Sequence, residues 1–170
     1  AIAARTISTI YDDLTYLVLN HKVAVKDEPV DINALITERL EYFQTRYEQK
    51  RLEVEFRAEE AVTVMIDRNK AARLIDNLLS NAIKYNRIGG SIAIRSSREV
   101  LRITDTGKGI PEEKIQRVFE RYQRADESVG GFGIGLNIVA MIAKEYGIGI
   151  DMESEEKKGT AITLQWPPFE

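Results

Sequence analysis

The chain has 170 residues, 44% hydrophobic and 30% charged, which is enough for one well-buried core and unlike a disordered segment. Its 24 basic and 27 acidic residues leave a net charge of −3, which excludes a bulk nucleic-acid binder. With no cysteine and a single histidine, it excludes disulfides, thiolate metal sites and multi-histidine metal sites.

No apolar run approaches the ~20 residues that span a bilayer, and no basic-then-apolar leader with a cleavage site opens the chain. The expected location of these residues is the cytoplasm. The start on AIAARTIST, without an initiator Met, reads as a piece of something longer.

In chain order, Ala3, Ile7, Ile10, Leu14, Leu17 and His21 follow a 4-3-4-3-4 spacing over residues 1–25. That is the seam of a helix packed lengthwise on another helix, or of a helix lying on its own domain. KDEPVDI (26–32) reads as a linker, with the main domain expected over 33–170. A helix from about Asn33 carries Leu35, Ile36, Leu40, Phe43 and Tyr47 on one face. LEVEFR (52–57) alternates as a strand covered on one side, and VTVMI (62–66) is a second strand.

Asp67 is placed to cap a helix through DNLLSNAIKYN (76–86). SIAIRS (91–96) and EVLRITD (99–105) read as a hairpin. Pro111, Glu112 and Glu113 suit a helix start, and 120–132 a polar, glycine-bearing loop. GIGLNIVAMIAKEYG is an apolar helix ended by Gly147. IGIDMES and TAITLQW close the chain as a strand pair. This mixture predicts an α+β, two-layer sandwich: a mainly antiparallel mixed sheet with helices on one face, preceded by one N-terminal helix.

Three stretches carry chemistry. On the helix of 76–86, Asn77, Asn81 and Lys84 fall in a stripe roughly 60° wide beside Leu74, Leu78 and Tyr85. An amide near a core costs about 1–3 kcal/mol if it finds no partner. The stripe is therefore either a polar ligand site, with an amide oxygen for a hard cation and a lysine for phosphate, or a solvated margin. DTGKGI (105–110) follows a strand directly. Gly107 and Gly109 allow a sharp turn and close approach, and Asp105 can accept from an exocyclic amine; a plain turn is the alternative. GGFGIGLN (130–137) runs glycine-rich into a helix and suits a polyphosphate, or is simply a flexible loop. It matches neither the dinucleotide fingerprint nor the P-loop.

Taken together, DNLLSNAIKYN, DTGKGI, FERYQR (119–124), GGFGIGL and GTAITL (159–164) stand in the order and spacing of one family. Over residues 28–168 the chain resembles the catalytic ATP-binding domain of bacterial sensor histidine kinases, in the superfamily of gyrase, the large heat-shock chaperone and the mismatch-repair ATPases. The resemblance implies ATP and Mg²⁺ as cofactors, with Asn81 as metal ligand and Asn77 beside it. Lys84 would bind phosphate and Tyr85 would lie against the nucleotide. Asp105 would read adenine, in a pocket shaped by Gly107, Gly109 and Ile110. A mobile lid over 111–132 would be anchored by Phe119 and would bring Arg124 to the phosphates. Gly131, Gly133 and Gly135 would line the triphosphate, Phe132 and Leu136 would also bind the ATP, and Thr160 would sit near adenine. Asn86, Tyr122 and Ile162 depart from the family's usual residues.

In that family the γ-phosphate passes to a histidine on a helical-hairpin domain. His21, in LVLNHKVAV, has no acidic neighbour and no Thr-Pro after it, and is not expected to be the acceptor. Residues 1–25 resemble the second helix of the hairpin, so the acceptor helix is expected outside this chain. The implied partners are that dimerisation domain, in a homodimer of the full-length protein, and a response regulator. Neither nucleic acid nor membrane contact is expected here, although the whole protein would be anchored in the inner membrane. Alternatives are a conformational ATPase of the same superfamily, disfavoured because no glutamate lies between 67 and 98, and a non-catalytic nucleotide-sensing scaffold.

Overall fold

The computed structural model describes residues 7, 10, 11, 14, 15, 25–114 and 133–168. Strand β1 (Asp27–Asp31) leads into helix α1 (Ile32–Gln49), then β2 (Glu53–Ala58) and β3 (Thr63–Asp67). Helix α2 (Arg68–Lys84) is followed by β4 (Ser91–Ser96) and β5 (Val100–Asp105). Helix α3 (Gly133–Tyr146), β6 (Gly149–Glu155) and β7 (Gly159–Gln165) complete the described elements.

One expectation is corrected here. Residues 27–31 are not a linker: they pair antiparallel with β3, Val30 opposite Val64, in a two-stranded sheet of their own. Val30 is buried, and the strand ends in Asp31, whose Oδ1 accepts from Ala34 N at 3.0 Å to cap α1.

The main sheet has the order β2-β4-β5-β7-β6, with β2–β4 parallel and the other pairs antiparallel. Both expected hairpins are present, β4–β5 directly and β6–β7 at the far edge. Period-two alternation turns Ile92, Ile94, Leu101, Ile103, Ile162 and Leu164 toward the helices. The opposite phase carries polar groups such as Arg102, which donates to Thr163 Oγ1 and Glu153 Oε2 at 2.9 and 2.7 Å. One face is thus core and the other solvated.

Helix α2 is the centre of the helical layer. Ala71, Leu74, Ile75, Leu78, Leu79 and Ala82 recur at helical spacing and are all buried. Fully burying each leucine or isoleucine contributes about 1.5–3 kcal/mol. Asp67 Oδ1 accepts from Lys70 N at 3.0 Å, the expected cap. At the other end, Lys50 Nζ donates to the carbonyls of Ile83, Lys84 and Asn86 at 2.9, 2.9 and 3.1 Å, a cation against a helix C-terminus. Helix α3 packs beside α2 through the buried Lys70, whose Nζ lies 2.6 and 2.7 Å from the Glu145 oxygens. Gly147, at φ +66°, ends α3, and Ile148 N closes back on Ala143 O. The neighbouring Tyr146 hydroxyl donates to Asp27 Oδ1 at 2.6 Å and accepts from Asp67 N, joining α3 to the first strand. Burial and the Asp27 carboxylate hold this phenol well above its ordinary pKa.

Among the described N-terminal residues, Ile7, Ile10, Tyr11 and Leu14 are helical and exposed. No helix of the described residues is long and apolar enough to cross a membrane.

Candidate functional site

The register of the sheet builds the floor of a pocket. Asp105 on β5 stands opposite Thr160 on β7, and Thr160 opposite Ser154 on β6. The next row on the same face is Ile103, Ile162 and Met152. A polar row across three strands therefore borders an apolar one. From above, α2 contributes Leu78, Asn81, Ala82 and the capping residue Tyr85, and α3 contributes Leu136. Gly109 and Ile110 close the side.

Asp105 is held by the turn that follows it. Its Oδ1 accepts from Gly107 N at 2.8 Å and from Thr160 N at 3.3 Å. Burial pushes its pKa above the ordinary value, opposed by these two amide donors. All its described hydrogen bonds fall on Oδ1, so Oδ2 is the oxygen left for a ligand. The glycines here are required by space. A Cβ on Gly107 would lie 2.4 Å from Tyr85 O, and one on Gly109, at φ +66°, would lie 1.9 Å from Glu155 O. The turn is pinned on its far side by the buried Asn86, whose Nδ2 donates to Ser91 O and whose Oδ1 accepts from Thr106 Oγ1.

Asn81 supplies the site's unmatched polar group. Its side-chain nitrogen is buried and has no hydrogen-bond partner among the described residues. An unpartnered buried N–H at a pocket wall is costly and calls for an acceptor.

Of the sequence-predicted residues, the structure brings Asn81, Tyr85, Asp105, Gly109, Ile110, Leu136 and Thr160 together around this one pocket. Asn77 is turned elsewhere: its Nδ2 donates to Arg73 O one turn back at 2.8 Å, and it does not line the pocket. Lys84 is exposed and lies in an adjoining groove with Tyr85, Asn86, Arg87, Gly107, Lys108 and Lys157. The ammonium groups of Lys84 and Lys108 sit 5.2 and 4.9 Å from the centre of the Tyr85 ring. Gly133 and Gly135 are in the first turn of α3. Phe119, Arg124, Gly131 and Phe132 lie outside the described residues, as does His21.

Sequence reasoning missed Ser154, Met152 and Lys108. The signal for Ser154 and Met152 was the strand phase: both share the inward phase of β6, in register with Thr160 and Ile162. Lys108 sits between two glycines recognised for their shape, and only the fold reveals its approach to Tyr85.

A one-sided sheet thus lies under two helices, with a carboxylate and a buried amide at one apolar slot. Residues 66–170 match the histidine kinase-, DNA gyrase B- and HSP90-like ATPase family, and the chain belongs to that family. It is 42% identical over 113 residues to the sensor histidine kinase YkoH of Bacillus subtilis, covering 63% of this chain and 25% of that protein. To the signal transduction histidine-protein kinase BaeS of Escherichia coli it is 29% identical over 172 residues, covering 95% and 37%. Among solved structures, the mycobacterial sensor histidine kinase MprB superposes with a TM-score of 0.67 at 30% identity, covering 84% of this chain and all of that one. The chain is thus an ATP-binding domain of the sensor-kinase type, and it spans only a quarter to two-fifths of the length of those two curated relatives.

Proposed function

We propose that this domain positions Mg-ATP for transfer of the γ-phosphate to a histidine on a helical-hairpin dimerisation domain, for onward signalling to a response regulator. The observation that carries the reading is the convergence of Asp105 and the orphaned Asn81 amide on one apolar pocket. Asp105 accepts from the exocyclic amine of adenine, and the ring lies between the apolar row of the sheet and the Leu78–Tyr85 face of α2.

The amide oxygen of Asn81, a hard ligand, would hold a magnesium ion that arrives with nucleotide phosphates, and its unpartnered Nδ2 would donate to a phosphate oxygen. No cluster of three or more carboxylates, histidines or cysteines among the described residues would hold a metal by itself. When bound, the ion neutralises phosphate charge; the chain's own part is to orient the nucleotide, in keeping with phosphoryl transfer as positioning plus electrostatics. Lys84 and Lys108 flank Tyr85 beside the pocket, where they attract a polyphosphate. Arg124, Gly131, Phe132, Gly133 and Gly135 would complete the phosphate end.

His21 is not the acceptor in this proposal, because its surroundings in sequence lack a base to take the ring proton. The exposed Ile7, Ile10, Tyr11 and Leu14 suit a helix that packs in the hairpin bundle of a homodimer. A clamp ATPase is disfavoured by the absence of a glutamate on α2 to activate water.

Calorimetry with AMP-PNP, with and without Mg²⁺, tests the reading. Binding is expected, strengthened by Mg²⁺, and Asn81→Ala should remove the magnesium-dependent gain of about tenfold or more. With labelled ATP, an acceptor hairpin domain supplied separately should gain acid-labile phosphate while His21 does not. Absence of nucleotide binding, or steady ADP release by this chain alone, would overturn it.

A further inference from the structure

Lys50 has no place in the site as described, for it lines neither the pocket nor the adjoining groove. It caps the C-terminus of α1, 33 to 36 residues before the segment that it grips. A lysine ammonium has three protons to give. Here it has three acceptors, the carbonyls of Ile83, Lys84 and Asn86. The main chain of the same residue adds a fourth tie, since Lys50 O accepts from Gly89 N at 2.8 Å. One residue thus holds the chain on both sides of the bend between α2 and β4.

A cation beside a helix C-terminus is ordinary. Two features go beyond that role. The ammonium reaches past Tyr85, the cap of α2, to the carbonyl of Asn86. The carbonyl that it passes over, that of Tyr85, accepts from Lys108 N at 3.1 Å. The four successive carbonyls 83–86 are therefore shared out, three to Lys50 and one to the glycine turn that carries Lys108. Asn86 also meets this turn, its Oδ1 lying 3.2 Å from Thr106 Oγ1. Clearance between segment and turn is small, because a Cβ on Gly107 would lie 2.4 Å from Tyr85 O. The side chain of Tyr85, on this braced segment, lines the pocket with Asp105.

We propose that Lys50 is a positioning residue for the nucleotide, acting through Tyr85: by fixing the carbonyls on either side of Tyr85, it sets that ring at the pocket and keeps the Tyr85 carbonyl on the glycine turn. The inference rests on the nucleotide reading above and adds to it a residue that touches no ligand. Without the ammonium, three carbonyls lose their shared donor and the segment gains freedom. Binding must then remove that freedom, which weakens affinity.

The test is calorimetry of AMP-PNP with Mg²⁺ on the 170-residue chain, with urea unfolding to establish that each variant is folded at the assay temperature. Lys50→Met should bind about tenfold more weakly. Glu145→Ala, which loses stability at the Lys70 pair instead, should stay within about twofold of wild type. In a Tyr85→Ala background, Lys50→Met should weaken binding by only about threefold or less, because the two residues act in series. In the apo chain, Lys50→Met should quicken hydrogen exchange of the Lys108 amide by a larger factor than that of the Leu78 amide in α2. A purely structural role predicts unchanged affinity of the folded variant and a uniform change in exchange; either result overturns the proposal, as does an undiminished loss in the Tyr85→Ala background. Should Lys50→Met be unfolded at the assay temperature, Lys50→Arg keeps the charge but spreads its donors in a plane. It must still weaken AMP-PNP about threefold, and wild-type affinity there overturns the proposal. If wild type binds AMP-PNP and the Lys50 variants bind it equally well, this inference alone fails; if wild type does not bind it, the nucleotide reading fails and this inference with it.

Discussion

Replacing Asp105 by asparagine keeps the shape of the side chain and changes only its charge and one donor. The amide oxygen of the variant can still accept from Gly107 N and Thr160 N, so the turn is retained. The new NH₂ then occupies the Oδ2 position and faces another donor, the adenine amine. A hydrogen bond to a charged acceptor is worth about 1.5–3 kcal/mol, so AMP-PNP affinity should fall about 10- to 150-fold. Stability should move the other way. Burial raises the Asp105 pKa in the folded chain above that of the unfolded chain. Between the unfolded and the folded pKa, the folded state holds more protons, and unfolding free energy falls as pH rises through that window. Above that window the ionised group therefore opposes folding, and the neutral isostere relieves it. Calorimetry for the nucleotide and urea unfolding at pH 7 for the apo chain read the two effects separately. Affinity within threefold of wild type, or a clear loss of stability with the loss of binding, would refute the reasoning.

Two further outcomes follow from the same geometry. Gly109→Ala places a Cβ against Glu155 O, while Gly147→Ala, at a similar φ, meets nothing within 4 Å. The first should cost about 2–3 kcal/mol and abolish nucleotide binding; the second should cost about 1 kcal/mol and leave binding intact, both read by thermal melting and calorimetry. Glu145→Ala strands the buried Lys70 ammonium, though the partial exposure of Glu145 softens the loss to about 2 kcal/mol. The urea midpoint should drop at constant m-value, and adding Lys70→Met should recover most of the loss.

Much of this protein was legible residue by residue because the signals are local. The apolar period of α2, the Asp67 cap, the Gly147 stop and the alternation of four sheet strands each depend on neighbours within one turn or one pleat. The site residues Asn81 and Asp105 were visible because each breaks a local expectation: an amide beside a buried face and a carboxylate at a strand end. What local sequence could not hold is pairing at a distance. KDEPVDI (26–32) reads as a linker, yet residues 27–31 form a strand since β3, more than thirty residues on, offers its edge. Asn77 and Asn81 look equivalent on a helical wheel, but one amide closes on its own helix and the other is buried against the pocket. Periodicity and caps are written in the chain; register between strands, and so which polar atoms face one another, exists only once the sheet has closed.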